Sequence, residues 1–240
     1  MQSKIKNLLK LKNHLVAVVQ SDARPEKSLQ FKAGKWGCAI AMLAAAANGK
    51  TAAFSAETAT CTGGRAGLGF EKYPLGWIEY FLSCGSENVE RCERYKQTPE
   101  FAREFITNVP NALIEKLPPR KKFLLLKPLD ELSETETPEL VIFLVNADQL
   151  SGLVTLANFD SAGVDGVKIL FGAGCAQTIL YPLADKAHCY VGLTDPSARK
   201  FLDKNLLAFS APYERFLALE KFAAESFLTA DAWAKISARI

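Results

Sequence analysis

Two spacings of apolar residues organise this chain, one helical and one strand-like, and they alternate along most of its length. Ile5, Leu8, Leu9 and Leu15 recur at helical intervals among Lys4, Lys6, Lys10 and Lys12, which predicts an amphipathic helix over residues 1–15. His14-Leu-Val-Ala-Val-Val19 then reads as a buried strand, closed by a turn over residues 22–25. Gly34-Lys-Trp-Gly37 leads into a helix over 38–47, ended by Asn48-Gly49, and a strand follows over 51–54. A glycine-rich loop occupies 59–70, an aromatic helix 77–82, and a charged, exposed stretch 87–96. Thr98-Pro99 opens a helix to about residue 108, Pro118-Pro119 interrupts the chain, and 123–127 is a strand.

Beyond a polar link at 133–138, the one weak candidate for a domain boundary, the signals sharpen. Residues 140–145 are a fully apolar strand, 149–158 a helix and 167–171 a strand. A helix runs from Gly172-Ala-Gly-Cys175 to about 186 despite Pro182, followed by a strand over 189–193 and a short helix over 196–202. Residues 216–238 form an amphipathic helical region. Strands alternating with helices predict an α/β fold with a mixed sheet; the long strandless interval over 63–119 keeps α+β as the alternative.

Composition narrows this to one domain over 1–240, since 49% apolar residues in 240 suffice for a single sizeable core. A net charge of +3, from 29 basic and 26 acidic residues, gives no electrostatic case for nucleic acid. The longest apolar run, 39–47, is far short of the roughly 20 residues a bilayer requires, so no membrane span is expected. The N-terminus lacks the pattern of a signal peptide. Six cysteines in such a chain are expected to be thiols or metal ligands in a reducing cytoplasm rather than disulfides.

Within that expectation two segments align. Gly37-Cys-Ala-Ile-Ala-Met-Leu43 lies over Gly174-Cys-Ala-Gln-Thr-Ile-Leu180, and upstream Leu15-Val-Ala-Val-Val19 resembles Leu140-Val-Ile-Phe-Leu144. The pattern reads as a diverged internal repeat, about 14–56 and 139–195, each half a strand–Gly-Cys–helix–strand unit. Glycine permits a tight turn and close approach, and a cysteine at a helix start meets unpaired N–H groups that favour its thiolate. Cys38 and Cys175 are therefore candidate ligands of an iron–sulfur cluster or another metal, or low-pKa thiols. In the bland alternative they are small apolar residues packed under helix starts.

Cys61 is the third candidate, because Gly63, Gly64, Gly67 and Gly69 leave the neighbouring backbone approachable. Gly37, Gly63, Gly64, Gly172 and Gly174 are the accompanying cofactor-binding candidates, with Gly172-Ala-Gly174 in a strand–glycine loop–helix setting. The loop is neither a Walker loop nor a dinucleotide fingerprint. Cys84 and Cys92 lack zinc-type spacing and are candidates for a fourth ligand, whereas Cys189 reads as core. With only His14 and His188 present, a multi-histidine metal site is not expected. Asp195 and Arg199, one helical turn apart, read as a cap and an intrahelical pair.

A wider set of motifs carries a family resemblance. Phe31-Lys-x-Gly-Lys-Trp-Gly-Cys38, Cys61-x-Gly-Gly-x-x-Gly-Leu-Gly69, Glu93-Arg-Tyr-Lys-x-Thr-Pro99, Asn146-x-Asp-Gln-Leu150, Gly172-Ala-Gly-Cys175, Gly192-Leu-x-Asp195 with Arg199, and Phe209-Ser-x-Pro212 resemble the family called domain of unknown function 169, the uncharacterised ArCR family. The resemblance spans residues 15–233 and implies no particular activity. Such proteins are common in anaerobes, which suits oxygen-sensitive thiol or cluster chemistry.

The leading functional expectation is a cytoplasmic protein in which Cys38, Cys61 and Cys175 hold an iron–sulfur cluster or other metal cofactor, with a redox or electron-transfer role. The alternatives are a thiol-dependent enzyme without metal and a small-molecule-binding module. The expected partners are a small molecule or metal ligand, with self-association left open.

Overall fold

The computed structural model describes residues 2–32, 34–59, 61–85 and 92–240. Its centre is a seven-stranded sheet of β1 (Val16–Ser21), β2 (Ala52–Phe54), β3 (Phe123–Pro128), β4 (Leu140–Val145), β5 (Val167–Ile169), β6 (Cys189–Gly192) and β7 (Leu207–Pro212), in the order β2-β3-β1-β4-β7-β6-β5. Every pairing is antiparallel except β5 with β6. The middle of the sheet is the β1–β4 pair, with Ala17 opposite Val141.

Helices cover both faces: α1 (Lys4–Leu8), α2 (Ala39–Ala47), α3 (Thr62–Gly67), α4 (Ile78–Ser83), α5 (Pro99–Ile106), α6 (Ala112–Lys116), α7 (Ala147–Leu156), α8 (Tyr181–Ala184), α9 (Pro196–Arg199), α10 (Tyr213–Phe222) and α11 (Asp231–Ser237). Strand alternation divides the core. Val16, Val18, Leu124, Leu126, Leu140, Ile142 and Leu144 face α2 and the helix running into α8. Ala17, Val19, Leu125, Val141, Phe143 and Val145 face α7, α10 and α11. A sheet covered on both faces explains why residues 140–145 are apolar without interruption. The α/β expectation, with a mixed sheet in a single domain, therefore holds. The 133–138 link is no boundary, because the strand after it pairs with β1 and β7.

Several predicted elements differ in extent. The N-terminal helix ends at Leu8, because Leu9 and Lys10 turn the chain, Lys10 with a φ of 51°. Its Ile5 and Leu9 are fully buried, so the apolar spacing is real, but Leu11 and Leu15 reach the same core from non-helical backbone. Much of the glycine-rich loop is the helix α3. The helix after Gly172 opens with a π-helical segment, Ala176–Leu180, which absorbs Pro182 at the start of α8. Part of the predicted charged stretch, residues 87–91, lies outside the described residues. Among the described residues, no helix is long and apolar enough to cross a membrane.

Candidate functional site

Three helix starts meet beside the α2 face of the sheet, and each carries a cysteine. Cys38 is the N-cap of α2 and Cys61 the N-cap of α3; Cys175 lies in the first turn of the segment that continues into α8. All three line one cavity of about 330 Å³. Its floor also includes Gly63, Gly64, Gly172 and Gly174, and α4 and α5 close the far side with Ile78, Phe81, Phe105 and Ile106. Of the five glycines expected to bind a cofactor, Gly37 alone is outside this lining. An added Cβ there would lie 2.3 Å from the Phe31 ring, so its glycine serves packing.

Close approach between helix starts depends on small residues. A Cβ on Gly67 would fall 2.4 Å from Cys175 Sγ and 2.8 Å from the Ala176 nitrogen, so only glycine lets α3 lie against that turn. A Cβ on Gly174 would meet Ala198 at 2.8 Å and Ile40 at 3.6 Å, which shows how closely the second Gly-Cys step packs on α2. Asp195, itself buried, ties the start at Gly174 to that of α9. One carboxylate oxygen accepts from the Gly174 N–H at 2.9 Å, and the other accepts from the Ser197 N–H at 3.0 Å to cap α9. Arg199 does not pair with Asp195; it donates to the carbonyls of Leu206 and Lys204.

The electrostatics reverse one expectation. Burial pushes the Cys38 thiol up, although the Ile40 and Ala41 N–H groups at the helix start act to lower it. Burial raises Cys175 much further, with additional contributions from Cys61, Cys38 and Asp195. The helix-start effect is thus present but smaller than the cost of desolvating a thiolate. Cys175 accordingly donates its S–H to the Gly63 carbonyl at 3.0 Å.

The remaining cysteines are elsewhere. Cys189 is fully buried on the opposite face of the sheet, as expected for a core residue, and burial raises its thiol to about 12. Cys84 and Cys92 form a disulfide with Cα atoms 5.2 Å apart, contrary to the expectation of six free thiols, and neither is available as a fourth ligand. Cys84 ends α4 in a left-handed conformation, and the chain returns to lay Glu93 against Phe81. A spacing too wide for a zinc knuckle is therefore closed by a reversal of the chain. Among the described residues, no group of three or more His, Cys, Asp or Glu side chains is arranged to hold a metal ion.

Sequence reasoning missed the aromatic wall. Trp36, Trp77, Tyr95, Phe171 and Phe201 also line the cavity, with Trp36 64% and Trp77 45% exposed. The signal was one aromatic residue just before each Gly-Cys step, Trp36 and Phe171, which gains meaning only once the steps share a site.

Fold and site together define a three-layer α/β protein with cysteines gathered at helix starts around an aromatic-walled cavity. The chain belongs to the family called domain of unknown function 169, uncharacterised ArCR, which it matches over residues 4–221. No curated protein and no solved structure matches it.

Proposed function

We propose that this protein binds an iron–sulfur cluster in the cavity where Cys38, Cys61 and Cys175 converge. The observation that carries the reading is the convergence itself: three cysteines far apart in sequence line one cavity, each at a helix start. A single ion suits the spacing poorly, because three thiolates each about 2.3 Å from one metal must crowd together, and no such close group exists among the described residues. A cluster spreads its ligands around several irons. The three cysteines would hold it, and the glycine-flanked backbone would supply N–H groups to its sulfides. A cluster bound in this way would provide an electron-transfer centre or an open iron position, because the Cys84–Cys92 pair offers no fourth thiolate. The natural setting of this chemistry is a reducing cytoplasm.

Anaerobic purification followed by iron and sulfide analysis tests the reading. Stoichiometric iron with absorption near 400 nm is the expected result, lost in the triple variant Cys38→Ser, Cys61→Ser, Cys175→Ser. A colourless protein without stoichiometric metal would sink it.

The aromatic wall favours a second reading, a metal-free small-molecule site. Full ligand binding by the same triple variant would select it. The reactive-thiol reading is weaker, since burial holds Cys38 and Cys175 as thiols.

We also infer that the two halves arose by duplication. On one side of the β1–β4 pair the strands run β1-β3-β2, and on the other β4-β7-β6, with both Gly-Cys steps on the same face. The shared order supports descent from one strand–Gly-Cys–helix–strand unit.

A further inference from the structure

We propose that the Cys84–Cys92 disulfide is a redox-active site whose reduction by a dithiol loosens one wall of the cysteine cavity and opens it. The inference concerns access to the cavity and does not rely on what occupies it.

The pair joins two parts of that wall. Before Cys84, α4 and the residue preceding it supply Trp77, Ile78, Phe81 and Leu82; after Cys92, Glu93 and Tyr95 line the same space. The returning segment is a strap laid across the end of α4. The Glu93 N–H donates to the Phe81 carbonyl at 2.9 Å, and the Lys96 N–H donates to the Leu82 carbonyl at 3.0 Å. The strap's outer end rests on the far side of the mouth. Lys96 Nζ stands 4.4 Å from the Phe171 ring centroid and 4.8 Å from that of Phe105, and Tyr95 meets Phe171 edge-on.

Ser197 also hydrogen-bonds Tyr95, but the strap stays near the surface. None of residues 92–101 is fully buried, and segments with few buried contacts open at small free-energy cost. The disulfide anchors the strap where it leaves α4, at Cys84, which caps the helix in a left-handed conformation with φ 58°. Both sulfurs belong to half-buried residues, so a reductant can reach them. In the exchange, a thiolate of the dithiol attacks one sulfur of the pair and the Cys84–Cys92 bond breaks. The second thiol of the reductant then completes its own disulfide. Two electrons and two protons pass to the protein, leaving Cys84 and Cys92 as thiols.

The test compares air-oxidised protein with protein reduced by dithiothreitol, and with the variant Cys84→Ser, Cys92→Ser. Amide hydrogen exchange at Glu93 and Lys96 should accelerate by about tenfold on reduction and in the variant, while Leu124 to Leu126 of β3 stay unchanged. Cavity access should rise in parallel. In protein that contains no iron, the readout is the alkylation rate of Cys38 and Cys61; in protein that contains iron, it is the rate of iron loss to a chelator. Unchanged exchange in the strap, or unchanged access, overturns the proposal. So does equal acceleration in β3, which would show general destabilisation. Failure to find iron would refute the cluster and leave the strap test intact.

Discussion

At the residue scale, the site depends on positions where one atom more would not fit. Gly67 lies inside α3, where alanine ordinarily stabilises a helix by up to about 1 kcal/mol. Here the added Cβ meets Cys175 and the Ala176 backbone, so the sign reverses. Gly67→Ala should destabilise the protein by about 1–3 kcal/mol in urea unfolding. Cys175→Ala should not rescue it, because the Ala176 nitrogen at 2.8 Å cannot withdraw. A second residue-scale prediction concerns Asp185. Burial opposes its ionisation, but hydrogen bonds from Lys168, Tyr190 and His188 win and hold its carboxyl far below the ordinary carboxylate range. Those donors stand 2.8, 2.7 and 2.9 Å away. A depressed folded pKa means stability that is complete above the unfolded value, about 3.9, and is lost as pH falls through the folded one. Asp185→Asn should therefore lower Tm by roughly 5 °C at pH 7. The gap from wild type should narrow as the pH falls below about 4.

At the element scale, caps and core contacts explain which elements were legible. Asn146 and Gln149 form a reciprocal capping box, visible in sequence as Asn-x-x-Gln before an apolar run, and α7 begins there. Asn146→Ala should cost about 1 kcal/mol in chemical denaturation. Thr98 and Pro99 likewise mark the start of α5. Strand β7 escaped prediction because Leu-Ala-Phe-Ser-Ala-Pro has weak strand propensity. Its place between β4 and β6 makes it a strand, with Ser210 satisfied by the Thr178 carbonyl at 2.8 Å. The glycines of α3 misled in the opposite direction. They suggest an open loop, yet they fold into a helix, in which Gly67 lies too close to the Cys175 turn for any side chain.

At the scale of the whole molecule, the sheet separates chemistry from core. Cys175 and Cys189 lie on opposite faces, so the cluster reading predicts that Cys189→Ser leaves iron content unchanged whereas Cys175→Ser lowers it. Metal analysis of the two purified variants checks this. The same division explains why cysteine counting in sequence could not sort the six: two pair through a chain reversal, one is core, and three share a cavity.

By itself the sequence determined the α/β class, the central strands and the placing of Cys38 and Cys175 at helix starts, because apolar periodicity, caps and glycine steps act over short stretches of chain. Tertiary structure decided what those cysteines are to one another. It brought residues 38, 61 and 175 to one cavity and paired 84 with 92. It also raised the Cys38 and Cys175 thiols where local helix geometry argued for lowering them. The physical reason is that desolvation and proximity are sums over neighbours distant in sequence, and only the folded chain assembles those neighbours.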